Sequence, residues 1–141
     1  RYPAEAVVIS EAATVIRVDA QRLLEQSALC PALALALQQA LCRHAAALRT
    51  KVEILSAGTV RARLANLFLH LASRFGDELA DGTMAVPVSL SRTTLASLVS
   101  ARTETVIRAL RPWERDGVLV TDGGRFVIGD LPTLTACAAE G

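Results

Sequence analysis

The sequence predicts a mainly helical protein with short β elements, in which a long helix leads into a winged helix-turn-helix domain. Three observations predict it. Apolar residues recur in steps of three and four along Pro31–Ser56. A Gly58-Thr59 break separates that helix from the next. Beyond the break the patterns run helix, short strand, two helices separated only by Ser100-Ala101, then a hairpin signal at Asp122-Gly123-Gly124.

Length and composition set the frame. With 141 residues, 52% of them hydrophobic and 21% charged, the chain suits one ordinary domain or two small ones and is not disordered. No stretch approaches the roughly 18 apolar residues of a membrane helix, because Pro31, Gln38 and Gln39 break the 29–41 run, so no membrane partner is expected. The start carries no signal-peptide pattern and opens on Arg1 in strand-like sequence, which reads as a fragment. Cys30, Cys42 and Cys137 are odd in number and form no C-x-x-C pair. Buried or incidental thiols in a reducing cytoplasm are therefore expected, with neither disulfides nor a metal site. Net charge is only +1, but between Ser91 and Arg115 five arginines (Arg92, Arg102, Arg108, Arg111, Arg115) face two acids (Glu104, Glu114). Such local basicity suits a polyanion, although a solvated helix face would look similar.

The elements follow in order. Val7, Val8, Ile9, Val15, Ile16 and Val18 form two β-branched runs, read as two short strands at the tail of a sheet. Asp19 caps a short helix over 20–26, closed by Cys30-Pro31. Pro31 suits the first turn of the long helix, where its missing N–H costs nothing. Along that helix Ala34, Leu37, Leu41, His44, Leu48, Lys51 and Leu55 make a coiled-coil seam, imperfect at His44 and Lys51. It predicts pairing with an identical helix; the alternative is packing on its own domain. Gly58 disfavours helix by about 1 kcal/mol and Thr59 can cap a new one, so a hinge or domain boundary is placed at these two residues.

The next helix, Val60–Phe75, carries Leu64, Leu67, Phe68 and Leu71 on one face and stops at Gly76. Residues 76–83 read as a polar loop. Val86, Val88 and Leu90 alternate around Pro87 and Ser89 as an edge strand. Ser91 caps a helix to about Val99, with Leu95, Leu98 and Val99 apolar. A second helix spans about 102–115, with Val106, Ile107, Leu110 and Trp113 apolar. Val118-Leu119-Val120 and Phe126-Val127-Ile128 flank the Asp122-Gly123-Gly124 turn as a hairpin.

A helix-turn-helix inserts the N-terminal part of its second helix into the major groove. Glu104 and Arg108, spaced i,i+4 near the start of that helix, share one face. Arginine can donate twice to guanine O6 and N7, and glutamate can accept from cytosine N4 or adenine N6. Val106, Leu110 and Trp113 claim the core side and leave this face outward. The alternative is an ordinary exposed ion pair of about 0.3–0.5 kcal/mol.

Leu90-Ser91-Arg92-Thr93-Thr94-Leu95-Ala96-Ser97-Leu98-Val99, then Thr103-Glu104-Thr105-Val106-Ile107-Arg108-Ala109-Leu110, then Glu114-Arg115-Asp116-Gly117-Val118, closely resembles the DNA-binding domain of the Crp/Fnr family. The upstream order is similar too, and the specific part runs from Leu90 to Val118. The resemblance implies three parts: 1–30 as the end of a β-roll effector domain of cyclic-nucleotide-binding type, 31–58 as dimerisation helix and hinge, and 59–141 as the winged helix-turn-helix. It implies a bacterial transcription regulator, a homodimer paired through Leu37, Leu41, His44, Leu48 and Leu55, bound to a palindromic site on double-stranded DNA. Glu104 and Arg108 match the base-reading residues of the family's E-T-V-x-R motif, and Thr103 stands where its cyclic-AMP-responsive members carry a further base-reading arginine. Ser91, Arg92, Arg102, Thr105, Arg111 and Arg125 are expected on phosphates, Arg125 as part of a wing with the hairpin tip.

Departures from the family pattern have physical consequences. Ser100 replaces the usual turn glycine, so it adopts a left-handed conformation at about 1–2 kcal/mol or the turn differs. Arg102 replaces the usual hydroxyl cap, leaving Thr103 as substitute. Pro112 removes a backbone hydrogen bond and kinks the helix, with Trp113 packed there as core. Where cyclic-nucleotide binders of the family hold the phosphate with Arg-Ser, this chain offers Pro3-Ala4. Ordinary cyclic-AMP sensing is thereby disfavoured and the effector, hence any cofactor, stays unknown. His44 and Cys42 are read as a seam histidine and an incidental cysteine, ahead of an effector or haem contact. The acidic Asp77, Glu78 and Asp81 lie where family activators touch RNA polymerase, and a solvated loop accounts for them equally. No enzyme is expected: His44 and His70 are the only histidines, neither lies in a nucleophile motif, and no phosphate-binding glycine loop occurs. The alternative function is a winged-helix protein-interaction module without DNA binding.

Overall fold

The computed structural model describes residue 8 and residues 12–140. Val7 and Ile9 of the first expected strand lie outside the described residues. The second expected strand does not form: residues 12–19 have no regular structure, and Val15 and Ile16 are more than 80% exposed. The only sheet among the described residues is built from 77–128, so among these residues Val15, Ile16 and Val18 belong to no ladder.

Contacts divide the chain into two units, Arg1–Ala45 and Ala46–Gly141. The first holds α1 (Ala20–Leu29) and the start of α2 (Pro31–Ser56). Asp19 caps α1 as expected, its carboxylate accepting from the Arg22 N–H at 2.9 Å. The helix runs on past Gln26 to Leu29, ending where Cys30 precedes proline. α2 begins on Pro31 and buries only Ile54.

The second unit is built on α3 (Val60–Phe75). Residues 57–59 interrupt the helical path, Thr59 Oγ1 caps α3 by accepting from the Ala62 N–H, and Arg63 Nε donates across the break to the Ala57 carbonyl at 2.8 Å. Leu64, Leu67 and Phe68 are buried as the spacing predicts. Gly76 ends α3 with an ordinary negative φ of −74°. A side chain there would place Cβ 2.4 Å from the Ala72 carbonyl oxygen and 2.6 Å from Met84 Sδ. The glycine serves close approach, not a left-handed turn.

Four antiparallel strands, β1 (Asp77–Glu78), β2 (Met84–Val86), β3 (Leu119–Asp122) and β4 (Arg125–Ile128), pair in the order β1-β2-β4-β3. Two expectations are corrected here. The stretch at 76–83 contributes a short strand, and β2 is internal, flanked by β1 and β4. β2 also stops at Val86, because Pro87 has no N–H to donate. The hairpin between β3 and β4 turns at Gly123 and Gly124, with φ of 54° and 80°, values suited to a tight turn matched to strand twist.

α4 (Arg92–Leu98) and α5 (Thr103–Arg115) lie between β2 and β3. A closing helix, α6 (Leu131–Ala139), has no counterpart in the sequence expectations. Asp130 caps it by accepting from the Thr133 N–H and hydroxyl, at 2.9 and 2.6 Å. Leu134 and Cys137 are buried, and α3 meets α6 through Asn66 Nδ2, which donates to the Ala138 carbonyl at 3.3 Å. One core joins these pieces, with Phe68 and Phe126 edge to face at 4.9 Å between ring centroids.

Candidate nucleic-acid interface

The α4–turn–α5 pair positions the candidate reading face. Ser91 caps α4, its Oγ accepting from the Thr94 N–H at 3.0 Å, and Leu95, Ala96 and Val99 anchor the helix in the core. Ser100 takes the left-handed conformation (φ 51°), and the Ala101 N–H returns to the Ala96 carbonyl at 2.9 Å. The turn therefore keeps its shape without glycine, at about 1–2 kcal/mol. Arg102 occupies the cap position of α5 without a side-chain cap bond. Thr103 does not substitute for it; it is the first residue of the helix and half-buried.

Along α5, Val106, Leu110 and Trp113 are at most 1% exposed, while Glu104, Arg108 and Arg111 face solvent. With Ile107 they line an open groove of about 310 Å³. Among the described residues no ion pair or hydrogen bond joins Glu104 to Arg108, so the simple i,i+4 pair is not the arrangement adopted. α5 continues through Pro112 to Arg115. Proline removes the bond to the Arg108 carbonyl, one turn earlier. Trp113 is core, as expected. Its Nε1 has no partner among the described residues, and the Arg61 guanidinium lies 5.6 Å from its ring centroid.

The arginines separate into two sets. Arg102, Arg108 and Arg111 make no ion pair or hydrogen bond among the described residues. Arg92, Arg115 and Arg125 are engaged. Arg92 pairs with Glu114 and donates to Thr121 Oγ1 at 3.3 Å, tying α4 to α5 and β3. Arg115 holds Asp116 through two bonds of 2.7 and 3.0 Å, which lower the Asp116 carboxyl and raise the arginine. Arg125, expected on the wing, bonds Asp122 at 3.2 Å across the hairpin turn. Sequence reasoning missed the Arg92–Glu114 pair, whose partners stand 22 residues apart.

The other singled-out residues lie elsewhere. On α2, Leu41 and Leu48 are 62% and 53% exposed, His44 is exposed, and Leu37 and Leu55 are half-buried. Thr105 and Gly58 are exposed. Asp77 and Glu78 form β1, and Asp81 accepts from the Thr83 hydroxyl and N–H, which hold its carboxyl below the usual range. Cys30 and Cys42 are exposed and Cys137 buried. Pro3-Ala4 lies outside the described residues. Among the described residues no cluster of three or more His, Cys, Asp or Glu side chains is placed to hold a metal, and no helix is long and apolar enough to cross a membrane.

The family model for the Crp-like helix-turn-helix domain matches residues 62–137. Among solved structures, the chain is similar to a CRP-family transcriptional regulator of Thermus thermophilus, at 27% identity and a TM-score of 0.60, over 70% of this chain and 50% of that one. A CooA mutant from Carboxydothermus hydrogenoformans shares the fold at 21% identity and a TM-score of 0.74, over 85% and 55% of the two chains. FixK2 from Bradyrhizobium japonicum does so at 20% identity and a TM-score of 0.68, over 85% and 59%. The chain thus spans between 50% and 59% of the length of these structures. No curated protein matches it in sequence.

Proposed function

The chain belongs to the Crp-like helix-turn-helix family, and from that premise we propose that it is the dimerising and DNA-binding part of a sequence-specific transcription regulator. One observation carries the reading: Glu104, Arg108 and Arg111 stand together on the outward face of α5, opposite the buried Val106, Leu110 and Trp113, and Arg108 and Arg111 are committed to no partner among the described residues. A rigid helix presenting one carboxylate and two free guanidinium groups is suited to base edges and phosphates in a major groove. Arg108 reads a guanine, Glu104 accepts from a cytosine or adenine amino group, and Arg102, Arg111, Ser91 and Thr105 set register on phosphates. Arg92 and Arg125 would reach phosphate only by sharing or giving up their present partners.

The exposed Leu41 and Leu48 on α2 support a homodimer paired through that helix. Two reading helices then lie about one DNA turn apart, roughly 34–36 Å, on a palindromic site. An upstream sensor domain controls DNA affinity by reorienting the parts about Gly58. An effector that changes affinity while leaving the spectroscopic distances between 31–45 and 59–140 unchanged would sink that hinge.

The test of the central reading is fluorescence anisotropy of the wild type and Arg108→Ala on a Crp/Fnr-type palindrome and a scrambled duplex at several salt concentrations. Wild-type binding falls with salt, and the mutant loses about 1–3 kcal/mol of preference for the palindrome. Equal, weak binding of both proteins to both duplexes, joined to binding of a protein partner that Arg108→Ala abolishes, would replace DNA by a protein ligand.

A further inference from the structure

We infer that Arg63 is a positioning residue for base reading, whose guanidinium ties the break at 57–59 to the turn that aims α5. The inference rests on the DNA-binding and hinge readings above. Arg63 is half-buried near the start of α3, between Ala62 and Leu64, which are fully buried. Its Nε donates to the Ala57 carbonyl at 2.8 Å, and its Nη1 to the Val99 carbonyl, 36 residues further on, at 3.3 Å. Both acceptors lie at helix ends: Ala57 follows the last residue of α2, and Val99 is the C-cap of α4. Helices leave such carbonyls without a partner of their own, and a cation is favoured beside them. Among the described residues no ion pair joins Arg63 to a carboxylate, so these two carbonyls are its polar partners.

A guanidinium presents its donors in a rigid planar fork, so two bonds from it fix the two carbonyls relative to each other. Val99 leads directly into Ser100, which, glycines apart, alone has a positive φ among the described residues. An L residue in that conformation persists only while its surroundings hold it. Two residues later Arg102 stands at the cap of α5, without a side-chain cap bond of its own. Swinging α2 about the break therefore carries Ala57 away and draws the guanidinium with it. The Val99 bond, at 3.3 Å, already exceeds the usual limit of about 3.2 Å and gives way before the shorter one. The turn then loosens, and α5 loses its fixed angle to the groove. Hinge position and base readout are linked through one side chain that itself touches no DNA.

The test separates the coupling from the DNA binding. Arg63→Lys keeps the charge and the helix propensity but replaces the fork by a single ammonium group. It should bind the site that the wild type enriches from a random duplex library about tenfold more weakly, the equivalent of one charged hydrogen bond of about 1.5 kcal/mol. The salt dependence should match that of the wild type, whereas a slope smaller by about one phosphate overturns the inference by making Arg63 a backbone contact. Coupling is read without DNA, from hydrogen exchange of the Ala101 amide, which bonds the Ala96 carbonyl across the turn at 2.9 Å. The reference is the Gly129 amide, which bonds the Val118 carbonyl at 3.0 Å. Thr59→Ala removes the cap of α3 and loosens the break; it should speed Ala101 relative to Gly129 about fivefold, one cap of about 1 kcal/mol. In the Arg63→Lys background the same substitution should leave that ratio unchanged. An Ala101 amide that ignores Thr59→Ala in the otherwise wild-type chain overturns the inference, and this outcome needs no substitution at Arg63. So does an equal response in both backgrounds. A library that yields no enriched sequence overturns the DNA-binding reading, and base positioning with it, whatever the exchange shows.

Discussion

α2 and α5 are both patterned with apolar residues at helical spacing, yet they meet solvent in opposite ways. Over residues 31–53 α2 buries nothing, and Leu41, Leu48 and Val52 remain 62%, 53% and 66% exposed. α5 buries Val106, Leu110 and Trp113 in the same cluster as Leu64, Phe68 and Leu95, and sends its charges outward. An apolar stripe at helical spacing therefore has a limited meaning. It states that a face is built to be covered, and leaves open by what. For α5 the cover is its own domain; for α2 the proposed homodimer would supply it.

Truncating one leucine on each helix tests whether the two faces are covered differently. Leu110→Ala should destabilise the domain by about 2–5 kcal/mol in urea unfolding, because the cavity lies in a closed core. Leu48→Ala should leave that unfolding transition within about 0.5 kcal/mol of wild type at low protein concentration, and weaken self-association in sedimentation equilibrium. Equal losses for the two variants at every concentration would show that α2 is covered within its own chain.

A smaller effect sharpens the contrast between the core and its polar fastenings. Asp130, the cap of α6, has its carboxyl held below the ordinary value of 3.8 by hydrogen bonds from the Thr133 hydroxyl and N–H. Its folded-state pKa is depressed, so its contribution is present above the unfolded value of about 3.9 and is lost as pH falls through the folded value. Asp130→Asn, which still caps but does not titrate, should flatten this part of the acid-unfolding profile followed by circular dichroism. A profile as steep as that of wild type would place the acid-sensitive group elsewhere.

Much of the fold was legible because its signals are local. Asp19, Thr59 and Ser91 cap the helices they were expected to cap, and Gly123-Gly124 turns the hairpin. A cap or a tight turn is decided within four residues, so sequence suffices. The misreadings concern pairing. β1 and the internal place of β2 depend on strands distant in the chain, and Val15-Ile16-Val18 carries the residue types of a strand without a ladder to join among the described residues. α6 was missed although Asp130 and Pro132 are helix-start signals, because its short apolar run, Leu134 and Cys137, gains its meaning from packing on α3.

The candidate reading face shows the same division. Sequence alone determined that α5 is a helix, that Glu104 and Arg108 share a side of it, and that Val106, Leu110 and Trp113 take the other, since all three follow from a period of 3.6 residues. Tertiary structure decided which charges remain free. Arg92 is drawn to Glu114, Arg115 to Asp116 and Arg125 to Asp122, whereas Arg102, Arg108 and Arg111 have no ion pair or hydrogen bond among the described residues. It also decided that Ile107 stands at the edge of the groove instead of in the core. Periodicity fixes the direction of a side chain from its own helix, whereas exposure and pairing depend on what the rest of the chain brings alongside.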